Sequence, residues 1–217
     1  MKHKNHIASL IALFIAVLFT GQQPLSAQSE AELIGRLRAK YDQVELMKAD
    51  FTQNITSPFG DLLPENRGSL LVEGDRYRVE TASQTFVTDG ETTWIYSALE
   101  KQVLINDFVD DETTFSISNF LDNFHSDYQV LNTSLSYLNG TRHHELQLKS
   151  EVNESFFKEV TLWMRDSDHV ITRLKVLDVN DAVLDFNLND IEINPYIEGN
   201  PFTFTPPDGA EIIDLRS

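Results

Sequence analysis

The chain has 217 residues, 34 acidic and 17 basic side chains, a net charge of −17 at pH 7, and no cysteine. That charge repels nucleic acid and anionic lipid headgroups. The missing thiol excludes a disulfide framework, a lipid-anchored cysteine and a thiolate metal site or nucleophile. Hydrophobic residues at 41%, including 14 Phe, argue against disorder and for a chain with a core of its own.

Residues 1–27 open with Lys2 and Lys4, run through an apolar stretch at 7–19, turn polar at 21–24 and end in Leu25-Ser26-Ala27. A basic head, a short apolar middle and a small residue before the cut read as a secretory signal. The run falls short of the ~20 apolar residues that a spanning helix needs. An uncleaved N-terminal anchor is the alternative. The expectation is therefore a signal at 1–27 and a single domain at 28–217, exported and soluble. Without Lys2 and Lys4 the domain holds 15 basic against 34 acidic side chains, or −19. An acidic exterior around a Phe-rich interior fits a carrier of greasy cargo, and equally an ordinary acidic β-protein.

Ser29-Glu30-Ala31-Glu32 has the form of a capping box, with Leu33, Ile34, Leu37 and Tyr41 following at helical spacing to about residue 43. One amphipathic helix is predicted there. The period then drops to two. Met47, Ala49, Phe51 and Ile55 alternate with Lys48, Asp50, Thr52 and Asn54, and Leu70 and Val72 come next. Tyr77, Val79 and Thr81 stand against Arg76, Arg78 and Glu80, and Phe86 and Thr88 precede the hairpin-type dipeptide Asp89-Gly90. Trp94 and Tyr96 lie beyond it, and Leu104 marks a further strand at 101–106.

An acidic loop at 107–114 leads to Phe115, Ile117, Phe120, Leu121 and Phe124, a short, aromatic amphipathic helix by spacing. Strands resume at 128–131, 135–137 and 141–150, and a last meander covers 157–165, 169–177 and 182–193 with turn-forming joints at 166–168 and 180–181. The sum is about ten or eleven strands and two principal helices. So many alternating strands predict one large curled sheet, with the helices as the only cover for its apolar face. The aromatic helix reads either as a fixed core helix or as a lid over a hollow.

Enzyme chemistry finds little support. His143 and His144 are adjacent on a strand and point to opposite faces, so they share no metal. Asp110-Asp111-Glu112 and Asp166 with Asp168 lack the spacing and central glycine of an EF-hand and read as solvated loops. No nucleophile elbow, zincin helix or phosphate-binding glycine loop occurs. No metal or cofactor is expected.

Three motifs are more specific. Phe51-Thr52-Gln53 closes the first strand, and Thr88-Asp89-Gly90-Glu91-Thr92-Thr93-Trp94-Ile95-Tyr96 has the pattern small-Asp-Gly-polar-x-x-Trp-x-Tyr. The C-terminal run Asn200-Pro201-Phe202-Thr203-Phe204-Thr205-Pro206-Pro207-Asp208-Gly209 continues into Ala210-Glu211-Ile212-Ile213-Asp214. In this order, on a β-rich frame, they resemble the LolA family of periplasmic carriers of outer-membrane lipoproteins, over essentially the whole exported chain. The resemblance implies an incomplete antiparallel β-barrel of about eleven strands, closed by a helical lid around an apolar cavity for lipoprotein acyl chains. It also implies cargo taken from an inner-membrane ABC-type releasing complex and passed to an outer-membrane acceptor, by a non-enzymatic monomer.

On that basis Phe51, Leu70, Val72, Tyr77, Val79, Phe86, Trp94, Leu146, Leu148, Leu162 and Phe186 are the candidate sheet-side lining. Phe115, Ile117, Phe120, Leu121 and Phe124 are the candidate lid. One departure stands out. The family often places an Arg-Pro pair after the second strand, its arginine latching the lid, where this chain has Gly74-Asp75. Arg76 and Arg78 fall opposite Tyr77 and Val79, so by alternation neither replaces the latch. A lipid-binding or lipoprotein-sensing module on the same frame is the alternative function, with an enzyme third.

Overall fold

The computed structural model describes residues 25–109, 127–152 and 155–216. The candidate lid at 115–124 lies outside them. Twelve strands form a single open sheet in the order β12-β6-β5-β4-β3-β2-β1-β11-β10-β9-β8-β7. These are β1 (Met47–Thr56), β2 (Asn66–Glu73), β3 (Arg76–Thr81), β4 (Gln84–Thr88), β5 (Thr92–Ser97) and β6 (Gln102–Asp107). Then come β7 (Tyr128–Leu138), β8 (Thr141–Ser150), β9 (Phe157–Arg165), β10 (Ile171–Asp178), β11 (Val183–Ile193) and β12 (Glu211–Asp214). All neighbours are antiparallel except β12, which runs parallel to β6 along the edge. Among the described residues β12 and β7 are its two edges, so the sheet curves without closing.

Helix α1 (Leu25–Tyr41) begins upstream of the expected start, so Ser29 lies a turn inside it rather than at its cap. Ala27 and Gln28 are good helix formers and let the helix continue. Its apolar stripe is as predicted: Leu33, Ile34 and Leu37 are 9%, 3% and 0% exposed. They pack on Leu146, Leu148, Val160, Leu162, Met164 and Ile171, which belong to β8, β9 and β10. Arg38 and Lys40 in the last turn suit the negative end of the helix dipole. Beyond it Asn194, at φ 52°, accepts from the Glu45 and Leu46 amides and donates to the Gln43 carbonyl. The end of β11 thereby fixes the chain between α1 and β1.

Cross-strand partners share a face, so the register traces each surface across the sheet. Leu162 faces Leu146 and Leu174, Leu174 faces Phe186, and Phe186 faces Gln53. The same side continues through Phe51 opposite Leu188 and Gly68, Leu70 opposite Val79, Val79 opposite Phe86, and Ile95 opposite Phe86 and Leu104. This is the helix side.

Two expectations about the strands change. The short strands at 128–131 and 135–137 are one strand, β7, whose register shift between Val130 and Asn132 absorbs Leu131 as an extra residue. The C-terminal motif also adds a strand, β12, beyond the antiparallel set.

Gly68 shows how tightly β1, β2 and β3 meet. A Cβ there would sit 2.0 Å from the Glu80 carbonyl oxygen and 3.0 Å from a Phe51 ring carbon. Backbone cannot yield as a side-chain tip does. Gly68→Ala is expected to cost about 2 kcal/mol, in the range of overpacked cores, read as a lower urea midpoint at unchanged slope; an unchanged midpoint would contradict this close approach.

Candidate functional site

The two faces of the sheet differ in chemistry. On β1 to β3 the tail-side positions include Lys48, Asp50, Arg67, Glu73, Arg76, Arg78 and Glu80. Across β1 to β6 and from Leu184 to Leu188 of β11, no helix-side position carries a charge. In a chain with 24% charged residues this segregation is strong.

The helix-side face divides by how it is covered. Over β8 to β10, α1 seals it, and Leu146, Leu148 and Leu162 are 0–1% exposed. These three candidate residues therefore form solid core under the helix. Phe51 is buried beside Gly68. Leu70, Val72, Tyr77, Val79, Phe86 and Phe186 lie on the same face and are half-buried. They join Ile55, Leu184, Leu188, Ile95 and Leu104, half-buried neighbours on that surface that sequence reasoning left out of the lining.

Trp94 stands apart. It pairs with Val87 and Ile105, and Val87 in turn faces Arg78, which faces Leu71. That places Trp94 on the tail side and Ile95 on the helix side. The expected lining included Trp94, and the hairpin puts it on the other face. Any even-length connection between β4 and β5 pairs Phe86 with an odd-numbered residue, as Thr88 pairs with Thr93 here.

The tail side over β3 to β6 has its own cover. Phe202, 1% exposed, lies beneath the Arg76 guanidinium, 5.0 Å from its ring centre. Arg78 donates to the carbonyls of Pro201 and Thr203 at 3.3 Å each and to Glu80 Oε1 at 2.7 Å. Tyr96 meets Phe204 at 6.1 Å between centroids. Both arginines thus turn away from Tyr77 and Val79, as alternation requires, and hold the C-terminal segment. A groove of about 790 Å³ also opens on this side, lined by Asp50, Thr52, Arg67, Ser69 and Glu80. Its walls are mostly polar, with Phe51 and Ala82 the apolar exceptions.

Titratable groups cluster at the far end of β8 to β10. His143 bonds Thr172 Oγ1 and the Thr141 carbonyl on the tail side, while His144 Nε2 lies 2.6 Å from Asp166 Oδ1. The hydrogen bond from His144 holds the Asp166 carboxyl below its usual range. Asp168 is paired with Arg165. Among the described residues no group of three or more metal-ligating side chains converges.

Fold and face together define a half-barrel with one uncharged apolar wall. A family model described as outer membrane lipoprotein carrier protein LolA matches residues 42–205, about three-quarters of the chain, and the protein belongs to that family. Among curated relatives, an outer-membrane lipoprotein carrier protein of Psychromonas ingrahamii is 24% identical over 95% of this chain and 98% of its own. One from Aliivibrio salmonicida is 28% identical over 88% and 95%. Among solved structures, an uncharacterized conserved protein from Thermus thermophilus superposes with a TM-score of 0.54 at 16% identity, over 86% of this chain and 99% of that one.

The seal between α1 and the sheet has a pH signature. Burial pushes the Tyr41 hydroxyl up to about 12, and its oxygen accepts from the Ile171 amide at 3.2 Å. A folded value above the unfolded one near 10 favours the neutral phenol, so its stabilisation is complete below pH 10 and is lost as pH rises towards 12. Urea titrations should show about 2 to 3 kcal/mol disappearing across that window in the native protein and less in Tyr41→Phe. Parallel alkaline slopes for the two would contradict the assignment.

Proposed function

We propose that the protein carries lipoproteins from the inner to the outer membrane, burying their acyl chains against the half-open helix-side face. The observation that carries this reading is the uncharged apolar wall running from Leu184, Phe186 and Leu188 through Phe51, Leu70 and Val79 to Phe86, Ile95 and Leu104. An acyl chain in water gains about 0.8 kcal/mol for each methylene it buries. A wall without charge offers that gain with no buried ion to desolvate. No bond is made or broken; the protein supplies a second apolar solvent.

Release follows from the same features. Half-buried side chains already make part of their contacts when the face is empty, so a ligand gains less than it would from a bare surface. Transfer between membranes needs binding of this moderate kind. The donor in this reading is an inner-membrane releasing complex of ABC type, and the recipient is an acceptor at the outer membrane. The segment at 1–27 supplies export, and among the described residues no helix is long and apolar enough to cross a membrane.

Native mass spectrometry of the protein purified from its host should show adducts with the masses of acylated lipoproteins. Phe186→Glu and Leu104→Glu place a carboxylate on the wall and should lower adduct occupancy at least tenfold with circular dichroism unchanged. Thr52→Glu, on the other face, should leave occupancy intact. Adducts of free lipid alone would indicate a lipid-binding module, and equal occupancy in all three variants would contradict the wall as the binding surface.

A further inference from the structure

An edge strand directs alternate backbone N–H and C=O groups away from its sheet, where they can template another strand. Proteins blunt such edges by keeping them short, charged or covered. The two edges of this sheet differ. Strand β12 has 4 residues, and its Glu211 and Asp214 are acidic. Strand β7 has 11 residues and carries neither a charge nor a proline. Beyond the bulge at Leu131 it stays in unbroken register with β8 from Asn132 to Leu138. Among the described residues no strand pairs with its outer side. Leu135 and Tyr137, 55% and 70% exposed, stand on its helix-side face outside the core under α1.

Charge selects the occupant of this edge. Arg142 and Lys149 against Glu145 leave the 128–150 hairpin at +1, so the rest of the chain carries −18 of the total of −17. The hairpin is therefore a place where a second acidic molecule can approach without local repulsion. When a strand pairs with its own copy, its charges are set against their like, and like charges opposite one another are destabilising. Strand β12 would set carboxylate against carboxylate in this way. Strand β7 has no charge to oppose. A strand that selects a segment of another protein gains specificity and register from complementary charge, and β7 supplies none. Its composition suits self-pairing.

From this we propose that β7 pairs antiparallel with β7 of a second copy of this chain, forming a twofold dimer whose sheet runs unbroken through both molecules. Such an interface is isologous, the same patch being used on each side. Leu135 and Tyr137 then join the apolar side chains of the second copy as cross-strand neighbours, a stabilising kind of pair. Partners across a ladder share a face, so both α1 helices and both apolar walls lie on the same side of the joined sheet. The dimer departs from the monomer that the family resemblance implies. It stands on the edge geometry and on charge, and it does not require the carrier reading.

Sedimentation equilibrium of the purified protein should show a concentration-dependent exchange between monomer and dimer. Leu135→Lys and Ser134→Lys place a charge on opposite faces of β7, and each enters the interface twice. Each should weaken dimerisation about tenfold. Both positions are exposed, so circular dichroism should not change. Ile212→Lys, on the other edge, should leave the dimerisation constant as it is. In hydrogen exchange read by mass spectrometry, peptides covering 129–138 should exchange more slowly as protein concentration rises, and those covering 211–214 should not. A monomer at every concentration up to about 1 mM overturns the proposal, whether or not the edge takes a strand from another protein. A dimer that tolerates both β7 variants overturns it too, as does one broken by Ile212→Lys or one that leaves exchange at 129–138 unchanged.

Discussion

A pleated strand sends successive side chains to opposite surfaces, and in this protein that geometry separates charge from apolar surface over β1 to β3 and much of β11. Everything else depends on it. An uncharged wall of this size is unfavourable in water and must be covered by protein or by ligand. One-residue slips of β1 to β3 are costly, since each would carry charged side chains such as Lys48, Arg67 or Glu80 onto the wall. The close approach at Gly68, between Phe51 and the β3 backbone, helps to lock that register in the middle of the sheet.

Cover is supplied unequally. Helix α1 spends its apolar stripe on β8 to β10, where Leu37, Leu146, Leu162 and Met164 reach zero exposure. The C-terminal segment covers the opposite side over β3 to β6, with Phe202 clamped by Arg76 and Arg78. The two covers thus sit on different faces of different halves of the sheet. Between them, the helix-side surface of β11 and β1 to β6 is left half-buried. Arg76 and Arg78 are committed to the tail.

Much of this was legible in the residues. Period-two alternation placed the strands, and the stripe Leu33, Ile34, Leu37, Tyr41 placed α1, because both depend on local spacing alone. The motifs carried the family. What escaped depends on distant parts of the chain. Leu146, Leu148 and Leu162 alternate in the same way as Leu70 and Val72, and only the docking of α1 separates solid core from open wall. Strand β12 exists because residues 211–214 find the edge of β6, more than a hundred positions earlier. Trp94 differs in kind: the parity of the β4–β5 hairpin, a local feature, sets it on the tail side rather than with the expected lining.

The central claim is that an acyl chain meets the wall from β11 through β6 and not the core beneath α1. Intermolecular nuclear Overhauser effects between a carbon-13-labelled acyl chain and the protein's methyl groups test it most directly. Contacts are expected to Leu70, Val79, Leu184, Leu188 and Leu104, with none to Leu146, Leu148 or Leu162. Contacts to those three leucines instead, or to neither set, would contradict it.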